Sequence, residues 1–408
     1  MLRKHVLVAA LVAMAAVAIL APAASARIKL ATLPARERVE IQLENENATL
    51  VEEERVVTLL EGTNFIDFSW SNTSIDKNTI IFRPLQVADK VAVINVAYPP
   101  NENALVWEVS AKAAGAVKVR ISYLVGNLRR TFSYRATAEV DESKLTLRNY
   151  MRIWNFSGED FGLSGVWAGF GEAFQGKEIG LQESKEVLIG KFIDVPIQKK
   201  FLFNWRTGQP VPDEPFQRYV TMNYVLKNSA GGNAGAGALG QYALPYGKVR
   251  IFLKQPPAKP GDIPNEAFLG EDWGKFTAVD DEMKLYLGLA RDVKVERTVK
   301  KSERLKIHGN LFNQDVIVQY KMQNFRKDGS LLDIEEDMNQ LRDEFCGGGK
   351  DHEASWELQN ETTDKAKVER KSAQKIEVHV ALPGRPKEAD KKPDEVIFLL
   401  HVLFKNEW

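Results

Sequence analysis

The chain has 408 residues, with 55 basic and 55 acidic side chains, so its formal charge at pH 7 is zero. That balance gives no electrostatic basis for binding nucleic acid or an anionic membrane surface. A hydrophobic share of 44% with 27% charged residues is that of a folded globular protein, and the length exceeds one ordinary core, which implies two or three domains.

The first 26 residues stand apart. Arg3, Lys4 and His5 open the chain, residues 6–21 carry no charge, and Pro22 is followed by small residues through Ala26. This is the layout of a secretory signal peptide, with Ala24 and Ala26 forming the site and cleavage before Arg27. An uncleaved anchor is the alternative, but the uncharged run of about 16 residues is shorter than the roughly 20 that a spanning helix needs. The mature chain is therefore expected outside the cytoplasm, periplasmic or extracellular, with no transmembrane span. Losing Arg3 and Lys4 leaves 53 basic against 55 acidic residues, a net charge of −2. The one cysteine, Cys346, excludes an internal disulfide, so packed cores must hold the exported chain together. It reads as an unpaired residue at a helix end, with pairing between chains as the alternative.

Beyond the leader, β-rich runs follow one another at 56–59, 65–68 and 91–96. Residues 117–123 alternate apolar and polar, the period of a half-buried strand. Runs at 249–253, 293–297 and 376–380 are similar, and Glu61-Gly62, Asp328-Gly329 and Pro383-Gly384 punctuate them as turns. Gly62 suits a hairpin between the first two runs, and Pro245 with a positive-φ Gly247 suits a tight turn before the 249 strand. One helix is expected over 331–345, where Leu331, Ile334, Met338, Leu341 and Phe345 share a face, Ser330 caps and Gly347 terminates. The expected fold is all-β: two or three antiparallel β-sandwich domains with one short inserted amphipathic helix. The boundaries read as 1–26 signal peptide, 27–145 N-terminal β-sandwich, 146–295 middle β-rich domain and 296–408 C-terminal β-sandwich carrying the helix.

Motifs for chemistry are weak. Residues 235–240 match a dinucleotide fingerprint in letters, yet Pro245 follows where a helix must begin. Of the histidines at 308, 352, 379 and 401, only His379 has a partner at useful spacing: Glu377 shares its strand face, half of a metal site or an ordinary solvent-facing pair. Glu52, Glu53 and Glu54 point alternately on a strand and do not converge. Glu271 and Asp272, expected in a loop, are weak candidates for a hard cation or a carboxylate pair. The aromatics between Trp154 and Trp205 serve as core filling or as a sugar-stacking surface. Residues 161–165 have the wrong spacing for a serine nucleophile elbow. Val402, Phe404, Asn406 and Trp408 share a face of the last strand; a terminal aromatic is also a mark of outer-membrane barrels, but most strands are too charged for one. No catalytic residue, metal ligand set or cofactor is assigned.

The order of several strings is informative as a set: residues 43–51 leading into 55–62, then 105–109, 119–124, 244–251, 268–272 and 285–288. This order resembles the bacterial domain of unknown function 4139 family, the mucoidy-inhibitor-like proteins. The resemblance spans most of the mature chain and implies an exported β-rich protein with no established catalytic residue to carry over. The coiled coil that many members place before this domain is absent here. The expected function is a non-enzymatic binding or structural module of the cell envelope, with an envelope protein or a glycan as partner. The alternative is an extracytoplasmic glycan hydrolase using two carboxylates in a cleft lined by the middle aromatics.

Overall fold

The computed structural model describes residues 33–45, 47–87, 89–169, 175–230, 239–257, 259, 261–347, 355–386 and 391–408. The expected signal-peptide site at Ala24, Ala26 and Arg27 lies outside them, as do Phe170, Phe174, residues 231–238 and His352. Strands make up 63% of the structure and helix 4%, as the all-β reading expects. Among the described residues no helix is long and apolar enough to cross a membrane.

The chain forms two compact units, one of residues up to Arg129 together with Ile153–Lys185, the other of Arg130–Arg152 with Glu186–Trp408. The first holds β1 (Arg38–Gln42), β2 (Thr49–Leu59), β4 (Ile81–Pro84), β7 (Gly115–Val125), β10 (Gly162–Trp167) and β11 (Gln175–Ile179) in a six-stranded sheet ordered β11-β10-β1-β2-β7-β4. A three-stranded sheet is built from β3 (Gly62–Ser69), β6 (Ala104–Ala111) and β5 (Val91–Ala97), in that order. In β7, Val117, Val119, Ile121, Tyr123 and Val125 are buried and the residues between them are not, the consequence of a two-residue side-chain period. The sheets meet through Trp107, whose ring lies 5.0 Å from Phe82 and 5.7 Å from Phe68, with Tyr123 5.8 Å from Phe68.

The second unit carries a ten-stranded sheet whose main path is β17 (Glu266–Gly274), β16 (Gly247–Lys254), β8 (Leu128–Ala138), β9 (Lys144–Asn155), β12 (Ser184–Asn204), β21 (Ser330–Asp337), β24 (Lys375–Leu382) and β23 (Val368–Arg370). Off this path β15 (Val220–Lys227) pairs with β12, and β18 (Glu282–Ala290) pairs with β15. A six-stranded sheet runs β13 (Pro210–Val211), β14 (Glu214–Arg218), β19 (Val293–His308), β20 (Leu311–Asn324), β25 (Glu395–Glu407) and β22 (Trp356–Leu358). Phe201, Phe203, Leu332, Ile334 and Val378 bury themselves against Val316, Val318, Tyr320, Leu400 and Val402, so the two sheets close a sandwich. A second cluster gathers Tyr134, Leu147, Phe192, Val249, Ile251 and Leu285. Pairing is mainly antiparallel, but β1–β10, β12–β21 and β8–β16 are parallel, which makes the sheets mixed.

Several local expectations are corrected. Residues 330–337 are strand, not the first half of a helix. They lie between β12 and β24, paired to β24 over 330–337 and to β12 over 331–335, and Leu332, Ile334 and Glu336 face the core at the strand period. The helix is only Met338–Cys346, capped by Asp337, whose carboxylate accepts from the Asn339 and Gln340 amides rather than by Ser330; Gly347 ends it at φ 90°. Cys346 closes that helix inside the core. Gly62 turns the chain at φ 93°, but no hairpin forms: β2 already pairs with β1 and β7, so the turn delivers β3 to the other sheet. Gly247 is needed for close approach, not for positive φ, since a Cβ there would sit 2.6 Å from the Phe132 carbonyl oxygen. On β25 the alternation of Val402 and Phe404 breaks at Asn406, which adopts φ 57°; Asn406 and Trp408 turn outward and Glu407 turns in.

Candidate functional site

Among the described residues, one group of three metal-ligand-type side chains converges, on the outer face of β21, β24 and β23. Antiparallel register sets Asp333 opposite His379 and Glu335 opposite Glu377, and on the other side sets Glu369 opposite Glu377. Directly opposed residues share a face, so four carboxylates and one imidazole are gathered by pairing alone. Ile376, Val378 and Val380 fill the opposite, core-facing side of β24, which fixes the strand's roll.

The imidazole is held between two acids. His379 Nδ1 is 2.8 Å from Asp333 Oδ1 and Nε2 is 3.0 Å from Glu369 Oε2. Burial pulls its pKa down, but the bonds to Asp333 and Glu369 outweigh that and raise it. Two cations complete the face: Lys371 Nζ lies 2.7 Å from Glu369 and 3.1 Å from Glu377, and Lys200 Nζ lies 3.4 Å from Asp333. Lys371 and its hydrogen bond hold the Glu369 carboxyl below the usual range, with His379 adding to the effect. Asp333 and Glu377 are buried, whereas His379 is 40% exposed, so the face is open to solvent at the histidine.

Asp333, Glu377 and His379 each present one ligand atom, all within 4.8 Å of one another. A tetrahedral ion with bonds of about 2.1 Å needs donor separations of roughly 3.4 Å. The three atoms here lie within 4.8 Å of one another, so an ion would draw them closer and displace the Lys371 ammonium from Glu377. The adjoining cleft, about 170 Å³, is lined by Asn204, Glu335, Asp337, Gln340, Lys371 and Glu377 and by no aromatic side chain.

The other residues singled out from the sequence go elsewhere. Glu271 and Asp272 are in strand β17, not a loop; Glu271 pairs with Lys248 at 2.6 Å and Arg250 at 3.2 Å, and Asp272 accepts from the Tyr286 amide. They are strand residues because Glu271 and Asp272 oppose Arg250 and Val249 in the antiparallel β16–β17 ladder. Of the three glutamates, Glu53 is buried against Arg36 and Arg55, and Glu52 and the buried Glu54 pair with Arg120, so all three are engaged in ion pairs within the sheet. Ser164 donates to the Phe161 carbonyl at 2.9 Å. Phe201 and Phe203 fill the sandwich of the second unit, Phe161 is buried in the first, and Trp154 and Phe156 line a pocket with Asn127 and Arg129. Residues 239–240 lead through turns into strand β16, and no helix follows the glycine stretch, so the fingerprint reading fails.

His401 is tied to Asp315 at 2.6 Å, and Lys301 reaches the same carboxylate at 2.7 Å. Burial alone would raise the Asp315 pKa, but Lys301 and His401 together lower it. A depressed carboxyl contributes stability above its unfolded pKa, and this is lost as pH falls through the folded value. Asp315→Asn is therefore expected to flatten the acid limb of the stability profile below about pH 4. Equal acid sensitivity in the variant and the parent, followed by circular dichroism, contradicts this.

Asp333 was not legible as a partner of His379: 46 residues separate them, and only the β21–β24 ladder joins them. The helix expected over 331–345 hid it. No protein-family model matches the chain, and no curated protein matches it.

Proposed function

We propose that the chain is an exported, non-enzymatic β-sheet binding module of the cell envelope, and that the outer face of β21–β24–β23 takes a divalent cation of the zinc class. The observation that carries the reading is the register-built triad of Asp333, Glu377 and His379, donors of mixed imidazole and carboxylate type at ligand spacing. An ion there replaces the proton on the imidazole and the Lys371 ammonium, and ties β21 to β24 on the side opposite their shared core.

Export is supported by the layout of residues 1–26, and the β-rich envelope role by the resemblance to the domain of unknown function 4139 family. The glycan-hydrolase reading required a carboxylate cleft lined by the middle aromatics. The cleft beside Glu335 and Glu377 has no aromatic lining, and Trp205 instead packs beneath Arg218 and Arg297.

Zinc at about 100 times its Kd adds roughly 2.7 kcal/mol to a state that alone binds it. The melting temperature at pH 7.5 is expected to rise with zinc in the parent chain and to stay flat in Asp333→Asn. A flat response in the parent would overturn the cation reading.

A further inference from the structure

The outer face of β16 and β17 carries a second, separate set of groups. Tyr246 and Trp273 stack with ring centroids 5.1 Å apart and planes within 3° of parallel, yet they are 56% and 50% exposed. Lys248, opposite Trp273 in the ladder, holds its ammonium 5.2 Å from the Trp273 ring and bonds Glu271 at 2.6 Å; Arg250 bonds the same carboxylate. Further along β16, Phe252 lies 5.5 Å from Phe268, itself 59% exposed. From Tyr246 to Phe252 is about 20 Å along the strand, at roughly 3.3 Å per residue. Two aromatic stations therefore flank a central row of hydrogen-bonding charges on one pleated surface.

We infer that this face binds a linear glycan lying along β16, with sugar C–H faces on the Tyr246–Trp273 stack and on Phe268, and hydroxyls on Lys248, Glu271 and Arg250. The chemistry of the surface selects the ligand. An aromatic face is electron-rich and matches the weakly positive C–H face of a pyranose ring, while the polar rim of that ring needs donors and acceptors beside the aromatic. A protein partner buries an interface core depleted of charge, whereas here the charges stand at the centre. An acyl chain needs continuous apolar surface, which Lys248, Glu271 and Arg250 interrupt. Single-stranded nucleic acid needs a positive groove, and Glu271 answers the cations at this point. Exposed aromatics on a rigid sheet mark interaction surfaces, and the Phe192–Tyr242 pair, by contrast, is packed against the core. The inference does not rest on the cation reading, because no residue is shared.

The test is calorimetric titration of the full chain, without added metal, with a neutral linear glucan and with a uronate-bearing chain of equal length. Saturable binding to either is expected, and the preferred one identifies the source. Trp273→Ala and, separately, Phe268→Ala are each expected to weaken binding at least tenfold, with circular dichroism unchanged. Phe156→Ala, an exposed aromatic in the other unit, is expected to leave it unaltered. No saturable binding to either chain overturns the inference, as does unchanged affinity in folded Trp273→Ala or folded Phe268→Ala.

Discussion

Arg297→Met is expected to cost the second unit about 3–5 kcal/mol, the loss typical when one partner of a buried ion pair is removed. Arg297 rises from β19 into the sandwich almost fully buried, bonds Glu344 through both terminal nitrogens at 3.0 Å and lies 3.6 Å from Glu336. It also stacks over Trp205 at 5.0 Å. Glu336 takes the Tyr320 hydroxyl as a donor and sits on the core face of β21. Burial raises the Glu336 pKa despite Arg297, so its ionisation opposes folding as pH rises. Without the guanidinium, that carboxylate is buried with less compensation, and the deficit is expected to be larger at pH 8 than at pH 5. Glu336→Gln added to Arg297→Met is expected to recover part of the loss. The measurement is hydrogen exchange of the β20 amides, since a two-unit chain need not unfold in one step. Undiminished protection in Arg297→Met contradicts the assignment.

Trp107→Ala is expected to cost the first unit about 3–5 kcal/mol, through lost transfer energy and the cavity left behind. Trp107 is among the largest fully buried side chains and touches aromatic rings from both sheets of its unit. Hydrogen exchange at β6 and β7 is the readout; a loss below about 1 kcal/mol would mean the site collapses around the gap.

The strands were readable because most carry their own period. In 117–123 and 376–380 apolar side chains recur every second residue, and one face of each is buried. The segment 331–345 was ambiguous because Ile334, Met338, Leu341 and Phe345 satisfy the helical period while Leu332, Ile334 and Glu336 satisfy the strand period. Glu336 conceals the second pattern, since a carboxylate facing the core becomes sensible only once Arg297 and Tyr320 are known to meet it. The same limit applies to the site. Glu377 and His379 were visible as a pair because they are two residues apart on one strand. Asp333 and Glu369 arrive by pairing across the sheet, and local spacing contains no record of them. The Tyr246–Trp273 stack was hidden for the same reason: the residues are joined by the β16–β17 ladder, with Glu271 beside them misplaced in a loop.

Isothermal titration of the chain with zinc at pH 7.5 tests the central proposal most directly. One ion per chain is expected, with affinity falling at least tenfold in His379→Gln and in Asp333→Asn while Phe156→Ala binds as the parent does. Absence of a one-to-one site, or undiminished affinity in both variants, would contradict it.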